Sequence, residues 1–163
     1  MRRRLIYNTL GFLLPLLMFL ISCNNRVLYD KTKDIAEEGW KAGEKVGFVV
    51  DIDDTLSVFD FYINVRNSVD YNYSNFFFFL KTIFPDGRYA VDTVNLWLAK
   101  PDGEWLGSGF GKYRDNKILF KRQGRFPMKG KYRFEFDQAM REKILTGIKS
   151  LGIRIEYSEI KEK

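Results

Sequence analysis

Cys23, the only cysteine of the 163-residue chain, has the sequence surroundings that most clearly indicate chemistry. Arg2–Arg4 precede an apolar run over residues 10–21, and the small residue Ser22 follows it. A basic head, an apolar middle and a small residue before the cleavage site are typical of a secretory signal peptide. A thiol in this position, with an aliphatic residue three places before it, can accept a diacylglycerol and become the mature N-terminus. The sequence therefore predicts a lipoprotein signal peptide over residues 1–22 and lipidation of Cys23.

The alternative for the same segment is a membrane-spanning helix beside an incidental cysteine. The apolar run over residues 10–21 is short, since about 20 apolar residues are needed to span a bilayer. Extending it toward the N-terminus takes in Asn8 and Thr9, and Pro15 would interrupt the helix. We therefore expect membrane attachment through lipidated Cys23.

A second pattern that could do chemistry is the carboxylate cluster in Val49–Leu56, with the sequence VVDIDDTL. It resembles the first motif of haloacid-dehalogenase-type phosphatases, in which one aspartate attacks phosphorus and a second, two residues on, acts as acid and base beside Mg²⁺. Here these would be Asp51 and Asp53. That mechanism needs a parallel sheet with crossover helices and later lysine and acidic motifs, and the residues after Asp54 show none of these. We therefore expect solvated loop carboxylates and no enzymatic activity.

A cation site at the same three carboxylates is a further alternative. Clustered aspartate oxygens in a loop suit calcium, but the glycine that an EF-hand-type loop requires is missing. The sequence leaves open whether Asp51, Asp53 and Asp54 bind a cation, and we predict no cofactor.

Composition excludes other classes of function. Histidine is absent, which removes the commonest general base and the commonest transition-metal ligand together. Cleavage before Cys23 would remove Arg2–Arg4 and lower the net charge from +6 to +3, too little to predict nucleic-acid binding. Without a second cysteine, an exported domain must be stabilised by packing and not by a disulfide. The 15 Phe, 9 Tyr and 3 Trp residues supply aromatic side chains for that core.

Three smaller patterns give candidate surfaces. Tryptophans can stack on sugar rings, and we expect Trp105, just after a Pro-Asp-Gly turn, to be the most exposed of Trp40, Trp97 and Trp105. A polar stripe formed by Asn64, Arg66 and Asn67 is either ordinary solvated surface or a docking site. The glycines at positions 107, 109 and 111 indicate tight turns and not a phosphate loop, because no helical pattern follows them.

Hydrophobic alternation predicts the elements that position these residues. Apolar and polar side chains alternate over 61–66, 131–137 and 153–157, and turn signals recur at 85–87, 101–103, 115–116 and 129–130. Period-two alternation with one wet face indicates antiparallel strands over a shared core. We predict an all-β domain over residues 35–163, an antiparallel β-sandwich with jelly-roll or Greek-key order, after a lipidated tether over residues 23–34.

Two segments carry more specific expectations. Phe76–Leu80 is apolar at every position, so we expect a central strand covered on both faces. Met140, Ile144, Ile148 and Leu151 share one face at helical spacing, which predicts a short helical segment before the last strand.

From Ile63 onward the chain resembles the gliding-motility lipoprotein GldH family. The matching strings, in order, are INVRN at 63–67, YNYSNF at 71–76, FPDG at 84–87, DT at 92–93, LAKPDGEWLGSG at 98–109, QAMR at 138–141 and LTGIKSLGIRI at 145–155. The resemblance covers about two thirds of the mature chain, while residues before Ile63, including Asp51–Asp54, are less similar.

The resemblance implies a non-enzymatic cell-envelope lipoprotein of the gliding-motility machinery, acting as a structural or partner-binding component. Its partners would be the membrane, through Cys23, and other envelope or motility proteins. A glycan-binding envelope lipoprotein is the alternative. The residues after Cys23 include no acidic run, unlike those of surface-exported lipoproteins in these lineages. We therefore expect an outer-membrane anchor with the domain facing the periplasm.

Overall fold

The computed structural model describes residues 26–159, and all regular structure in this range is β-strand. The ten strands are β1 (Val27–Asp34), β2 (Trp40–Lys41), β3 (Val46–Ile52), β4 (Phe59–Ser68), β5 (Asn75–Ile83), β6 (Tyr89–Trp97), β7 (Tyr113–Gly124), β8 (Gly130–Gln138), β9 (Ile144–Leu145) and β10 (Ile148–Tyr157). Within the described range, no helix has the length and hydropathy needed to cross a membrane. The predicted signal peptide over 1–22 and Cys23 lie outside the described residues.

Eight of the strands form two four-stranded antiparallel sheets. Sheet I has the order β1-β10-β4-β7, and sheet II has the order β3-β8-β5-β6. The short strands β2 and β9 pair with each other. The long strands pair in a nested way, β1 with β10, β3 with β8, β4 with β7 and β5 with β6, which is the strand order of a jelly roll. The prediction of an all-β antiparallel fold is confirmed.

Period-two alternation gives each sheet one buried face. In β4 the side chains of Phe61, Ile63 and Val65 are buried, and in β8 those of Phe134 and Phe136 are buried. The inner faces of both sheets contribute to one hydrophobic cluster rich in aromatic rings. Packing of these faces against each other removes apolar surface from water, which is the main favourable contribution to folding.

The expectation for Phe76–Leu80 is correct for one face only. This segment lies in β5, between β8 and β6, so the strand is central in its sheet. Phe76, Phe78 and Leu80 are fully buried, but Phe77 and Phe79 point to the opposite face and are exposed. No other layer of the described residues covers this second face.

The predicted helical segment before the last strand is wrong. Ile144 and Leu145 form β9, Gly147 has a φ of +88°, and β10 begins at Ile148. A positive φ ends any regular run and suits glycine. The helical spacing therefore combined an exposed residue of one strand, Ile144, with buried residues of the next.

The segment assigned to the tether also has regular structure. Val27–Asp34 forms β1, which pairs with β10 over its whole length apart from one bulge near its start. Its partner is more than a hundred residues away in the sequence, so local polarity gave no sign of the pairing.

Two of the four predicted turns are confirmed by backbone hydrogen bonds. Gly87 N–H donates to Phe84 at 3.0 Å, and Gly103 N–H donates to Lys100 at 3.0 Å. The signal at residues 115–116 is wrong, because these residues lie inside β7.

Candidate interaction surface

The outer side of sheet II carries a set of large exposed apolar side chains. Four of them make up what we call the aromatic face: Phe77 and Phe79 on β5, and Val91 and Trp97 on β6. Phe77 pairs with Asn95 and Phe79 with Thr93, so the four apolar side chains sit at diagonal positions across the two strands. Diagonal neighbours on one face lie about 7–8 Å apart, within reach of aromatic side chains. The face is therefore continuous over two strands.

The strand β6 that carries half of this face is also an edge strand. It pairs only with β5, so one row of its backbone N–H and C=O groups has no strand partner in the described residues. The edges of sheet I are blunted by charge, with Asp30, Lys31, Lys33 and Asp34 in β1 and five charged residues in β7. In β6 the only charged residue is Asp92. Charged side chains on an edge oppose pairing with another chain, and β6 nearly lacks them.

The outer side of sheet I is dominated by charged side chains, whereas on sheet II the ion pairs are confined to the β3–β8 side, where Lys45 and Arg133 pair with Glu135. Its charged side chains form what we call the ionic face: Asp30, Arg66, Asp115, Lys117, Arg154 and Glu156. Arg154 pairs with both Asp30 and Glu156, and Lys117 Nζ lies 2.7 Å from Glu156 Oε1. Arg66 donates from Nε and Nη2 to the two oxygens of Asp115 at 2.7 and 3.0 Å. Hydrogen bonding from Arg66 lowers the pKa of the Asp115 carboxyl below its ordinary value of 3.8.

The predicted polar stripe is divided between two faces. Arg66 is exposed and belongs to the ionic face, whereas Asn67 is fully buried. Strand alternation explains this, because Asn67 shares the inward face with Val65. Asn67 donates to the carbonyl of Ser68 at 3.0 Å and accepts from Asn116 Nδ2 at 2.9 Å. Its amide is therefore satisfied within the domain and is not a docking group.

The three candidate aspartates do not form a site. Asp51 and Asp53 are exposed at the end of β3 and in the loop after it. Asp54 Oδ1 accepts from the N–H groups of Leu56 and Ser57 at 2.9 and 3.0 Å, as expected for a turn aspartate, and hydrogen bonding from Ser57 lowers its pKa. Within residues 26–159, no group of three or more His, Cys, Asp or Glu side chains could hold a metal ion.

The tryptophans differ from expectation in their exposure. Trp40 is buried, and its Nε1 donates to the carbonyl of Glu44 at 2.6 Å. Trp105 was expected to be the most exposed but is half-buried against the core. Trp97 is 58% exposed, on the aromatic face, and lines a shallow depression with Leu106.

The glycine-rich segment is a loop with no helix after it. Gly109 and Gly111 have φ values of +131° and +67°, which confirms their prediction as turn glycines. Phe110 stands between them and is fully exposed. This loop follows β6 and includes Leu106, which lines the same depression as Trp97.

Comparison with known proteins decides the family. The family model for the GldH lipoprotein matches residues 27–155. This chain belongs to the GldH lipoprotein family.

Curated relatives in the GldH family match along nearly their full length. A protein of Christiangramia forsetii named as a gliding motility lipoprotein GldH homolog is 36% identical, with 96% of this chain and 99% of the relative covered. The gliding motility lipoprotein GldH of Flavobacterium johnsoniae is 30% identical, with 91% of this chain and 96% of the relative covered. Among solved structures, the VP2 subviral particle of infectious bursal disease virus reaches a TM-score of only 0.36 at 10% identity, covering 80% of this chain and 32% of the viral one.

The GldH match extends from the first residue of β1 into β10, so it includes both sheets and the aromatic face. Sequence reasoning missed this surface, because it treated the five consecutive apolar residues from Phe76 to Leu80 as covered on both sides. The signal that could have found it is in β6, where polar Thr93 and Asn95 alternate with the buried Val94 and Leu96 and so indicate that one face meets solvent.

Proposed function

We propose that this GldH-family chain is a lipid-anchored, non-enzymatic component of the gliding-motility machinery, whose jelly-roll domain binds another envelope protein through the aromatic face. The names of its relatives support the role in motility. The observation that carries the partner-binding role is the exposure of Phe77, Phe79, Val91 and Trp97 on one continuous surface.

The chemistry of this surface suits an extended segment of a partner. An added strand would pair with the free backbone groups of β6 and place alternate apolar side chains beside Val91 and Trp97. Large contiguous apolar patches on soluble domains mark interaction sites or sites of aggregation. Because Asp92 is the only charged residue of β6, little charge on this edge opposes pairing with a partner.

Attachment to the membrane is the second part of the proposal. We place a diacylglycerol on Cys23, in the outer membrane, with the domain on the periplasmic side. The Cys23→Ala variant should remain unprocessed or leave the membrane fraction, while the fold of the domain is unchanged. Normal membrane retention of this variant in a fractionation assay would contradict the anchor. Protease added to intact cells should leave the domain uncut, whereas digestion without permeabilisation would reverse the orientation.

The partner-binding role is tested by crosslinking in intact cells. A photoreactive amino acid at Phe79 should give specific crosslinked products with an envelope protein, and the same amino acid at Lys117, on the ionic face, should give far fewer. Phe79→Glu should abolish colony spreading in a gliding host, and Lys117→Glu should not. Equal crosslinking from both positions would overturn the assignment of the aromatic face.

Trp97 supports glycan binding as an alternative use of the same surface. Its exposed ring lies beside the side-chain pair Asn75 and Asn95, which are joined by a hydrogen bond of 2.9 Å. A flat ring next to amide groups could stack on and hydrogen-bond a sugar. Envelope polysaccharide should then change the tryptophan fluorescence of the wild type and not that of Trp97→Phe. No change in either protein would leave only the protein partner.

A further inference from the structure

A cavity of about 310 Å³ opens between the two sheets, on the side where the edge strands β6 and β7 face each other. Aromatic rings supply much of its wall: Phe61, Phe84, Phe120, Phe126, Tyr132 and Phe134. The volume is at the lower end of the roughly 300–1,000 Å³ of small-molecule sites, which are concave and mostly apolar. It has room for part of one acyl chain and not for a whole two-chain lipid.

Local irregularity in β7 accompanies the opening. The register between β4 and β7 shifts on both sides of Phe61, and Gln123 adopts a φ of +51°, rare for a residue other than glycine. A hydrogen bond from Gln123 N–H to Asp60, at 2.8 Å, holds this conformation. Bulges re-aim side chains and are over-represented beside functional sites.

The inward-facing residues of β6, the strand that faces β7, also become exposed beside the cavity. Its inward residues Val94 and Leu96 are buried, whereas Ala90 and Asp92, on the same face, remain exposed and line the cavity. The cavity is therefore open to solvent at one end and apolar within.

Charged side chains stand at the opening. Lys121, Arg125 and Asp92 line the cavity together with its rings, and both cations are exposed. Within residues 26–159, neither Lys121 nor Arg125 forms an ion pair. Two cations against one carboxylate leave the opening with an excess of positive charge.

The cavity lies at the end of the domain where the described chain begins. Val27 pairs with Glu156, Glu156 pairs with Asp60, and the next residue of β4, Phe61, pairs with Lys121 at the cavity. Arg26 therefore stands at the same end of sheet I as the opening. An anchor on Cys23, if the proposed lipidation holds, would bring this end close to the membrane.

We propose that this cavity binds the first part of the acyl chain of a fatty acid, with its carboxylate at Lys121 and Arg125. The aromatic rings remove the apolar chain from water, which favours its binding. The two cations select an anionic head over a neutral one. The cavity and its charges carry this inference, and the position of the anchor indicates where the fatty acid would come from.

Photolabelling of the full-length lipidated protein in vesicles tests the proposal. The probe is a hexadecanoic acid with a photoreactive group in its chain, and labelled residues are identified by mass spectrometry. Ala90→Trp should fill the cavity and reduce labelling about tenfold, equivalent to about 1.4 kcal/mol of binding free energy. Thr93→Trp adds the same ring to the outer side of the same strand, at an exposed position, and should leave labelling within a factor of about two. Unfolding midpoints of both variants show whether each remains folded.

The charged opening is tested by variants at exposed positions, which preserve the fold. Lys121→Glu together with Arg125→Glu should reduce labelling by the acid about tenfold and leave labelling by the matched hexadecanol probe unchanged. Lys112→Glu, in the loop at the opposite end, is the control for net charge. Labelling that stays the same in Ala90→Trp, or that maps to the aromatic face, would overturn the proposal. Gel mobility of the Cys23-processed form is scored separately, so failure of the anchor is distinguished from failure of the cavity.

Discussion

The outer face of sheet I is covered by charged side chains that pair with one another, whereas the outer face of sheet II leaves four large apolar side chains in contact with solvent. On the ionic face, Arg154 joins Asp30 and Glu156, and Glu156 in turn joins Lys117. On the aromatic face, Trp97 and Val91 are each more than half exposed. Both faces belong to the same domain and lie on sheets of equal size.

The difference between the two faces is whether their exposed side chains already have interaction partners within the domain. The charged side chains of the ionic face pair with one another within the domain, so water alone can solvate them and no second protein is needed. The aromatic face gains free energy only when another surface covers it, because apolar area that stays in water contributes nothing to stability. The edge strands differ in the same sense, since β1 and β7 of sheet I are rich in charge whereas β3 and β6 of sheet II have one charged residue each, Asp51 and Asp92. This contrast is the reason for proposing a partner on the aromatic face and solvent on the ionic face.

The largest effect on stability is expected at residues of the two sheets whose rings point into the core. Phe78 is fully buried and lies 5.4 Å from Phe136 between ring centroids. Phe78→Ala should lower the free energy of unfolding by about 3–5 kcal/mol, as should Phe134→Ala in β8. Phe79→Ala removes the same ring from the outer face and should cost about 1 kcal/mol or less. Urea unfolding measures all three variants. Equal losses for Phe78→Ala and Phe79→Ala would contradict the distinction between the two faces.

A smaller effect is expected at the centre of the ionic face. Arg154 is mostly covered and is hydrogen-bonded to the carboxylates of Asp30 and Glu156. Arg154→Met keeps much of the apolar stem but leaves both carboxylates without this partner, so it should cost about 1–2 kcal/mol. Chemical denaturation at low and high salt checks this value. If the variant were as stable as the wild type, the ion pairs would not stabilise the domain, and the contrast between the faces would depend on sheet II alone.

The inner faces of the sheets could be predicted from sequence because alternation is a local signal. Phe61, Ile63 and Val65 alternate with polar residues, and this period alone places them inward. The same reasoning failed at Ile144 and Ile148, which are four residues apart as in a helix. Only the reversal at Gly147 separates them into two strands, and a single glycine is weak evidence of such a reversal.

The surfaces could not be predicted because exposure depends on distant pairing. Trp97 is exposed because β6 is the edge of sheet II, whereas Trp105 packs against the core from a loop. The residues near Trp97 and Trp105 in the sequence do not indicate which strands pair with each other. The strand β1 was missed for the same reason, since its partner β10 is at the other end of the chain. Lipidation of Cys23 stays a prediction from the sequence.

A pH-dependent effect of about 0.5 kcal/mol is expected from the exposed pair Arg66 and Asp115. Both side chains are about half exposed, so solvent screening keeps the contribution small. Because the pKa of Asp115 is lowered in the folded state, its contribution is present above the ordinary value of 3.8 and is lost as the pH falls through the lower folded value. A double-mutant cycle of Arg66→Ala and Asp115→Ala, measured at pH 7 and below pH 3, checks this. Coupling that persists at the lower pH would show that the carboxylate is not the interacting form.

The smallest effect is expected at Asp51, on the outer side of sheet II but away from the aromatic face. Its exposed carboxylate is at the end of β3, and the described residues around it include no crossover helix and no parallel strand. Asp51→Asn should therefore change the free energy of unfolding by no more than about 0.5 kcal/mol. The wild-type protein should also show no Mg²⁺-dependent hydrolysis of a generic phosphoester such as p-nitrophenyl phosphate. Hydrolysis by the wild type that is lost in Asp51→Asn would mean that the phosphatase-like string VVDIDDTL acts without its usual fold.

Asp53→Asn, two residues on, would then have to abolish the same activity, because attack on phosphorus needs a second group to protonate the leaving oxygen. If the carboxylates are only solvated, neither the wild type nor either variant should hydrolyse the phosphoester.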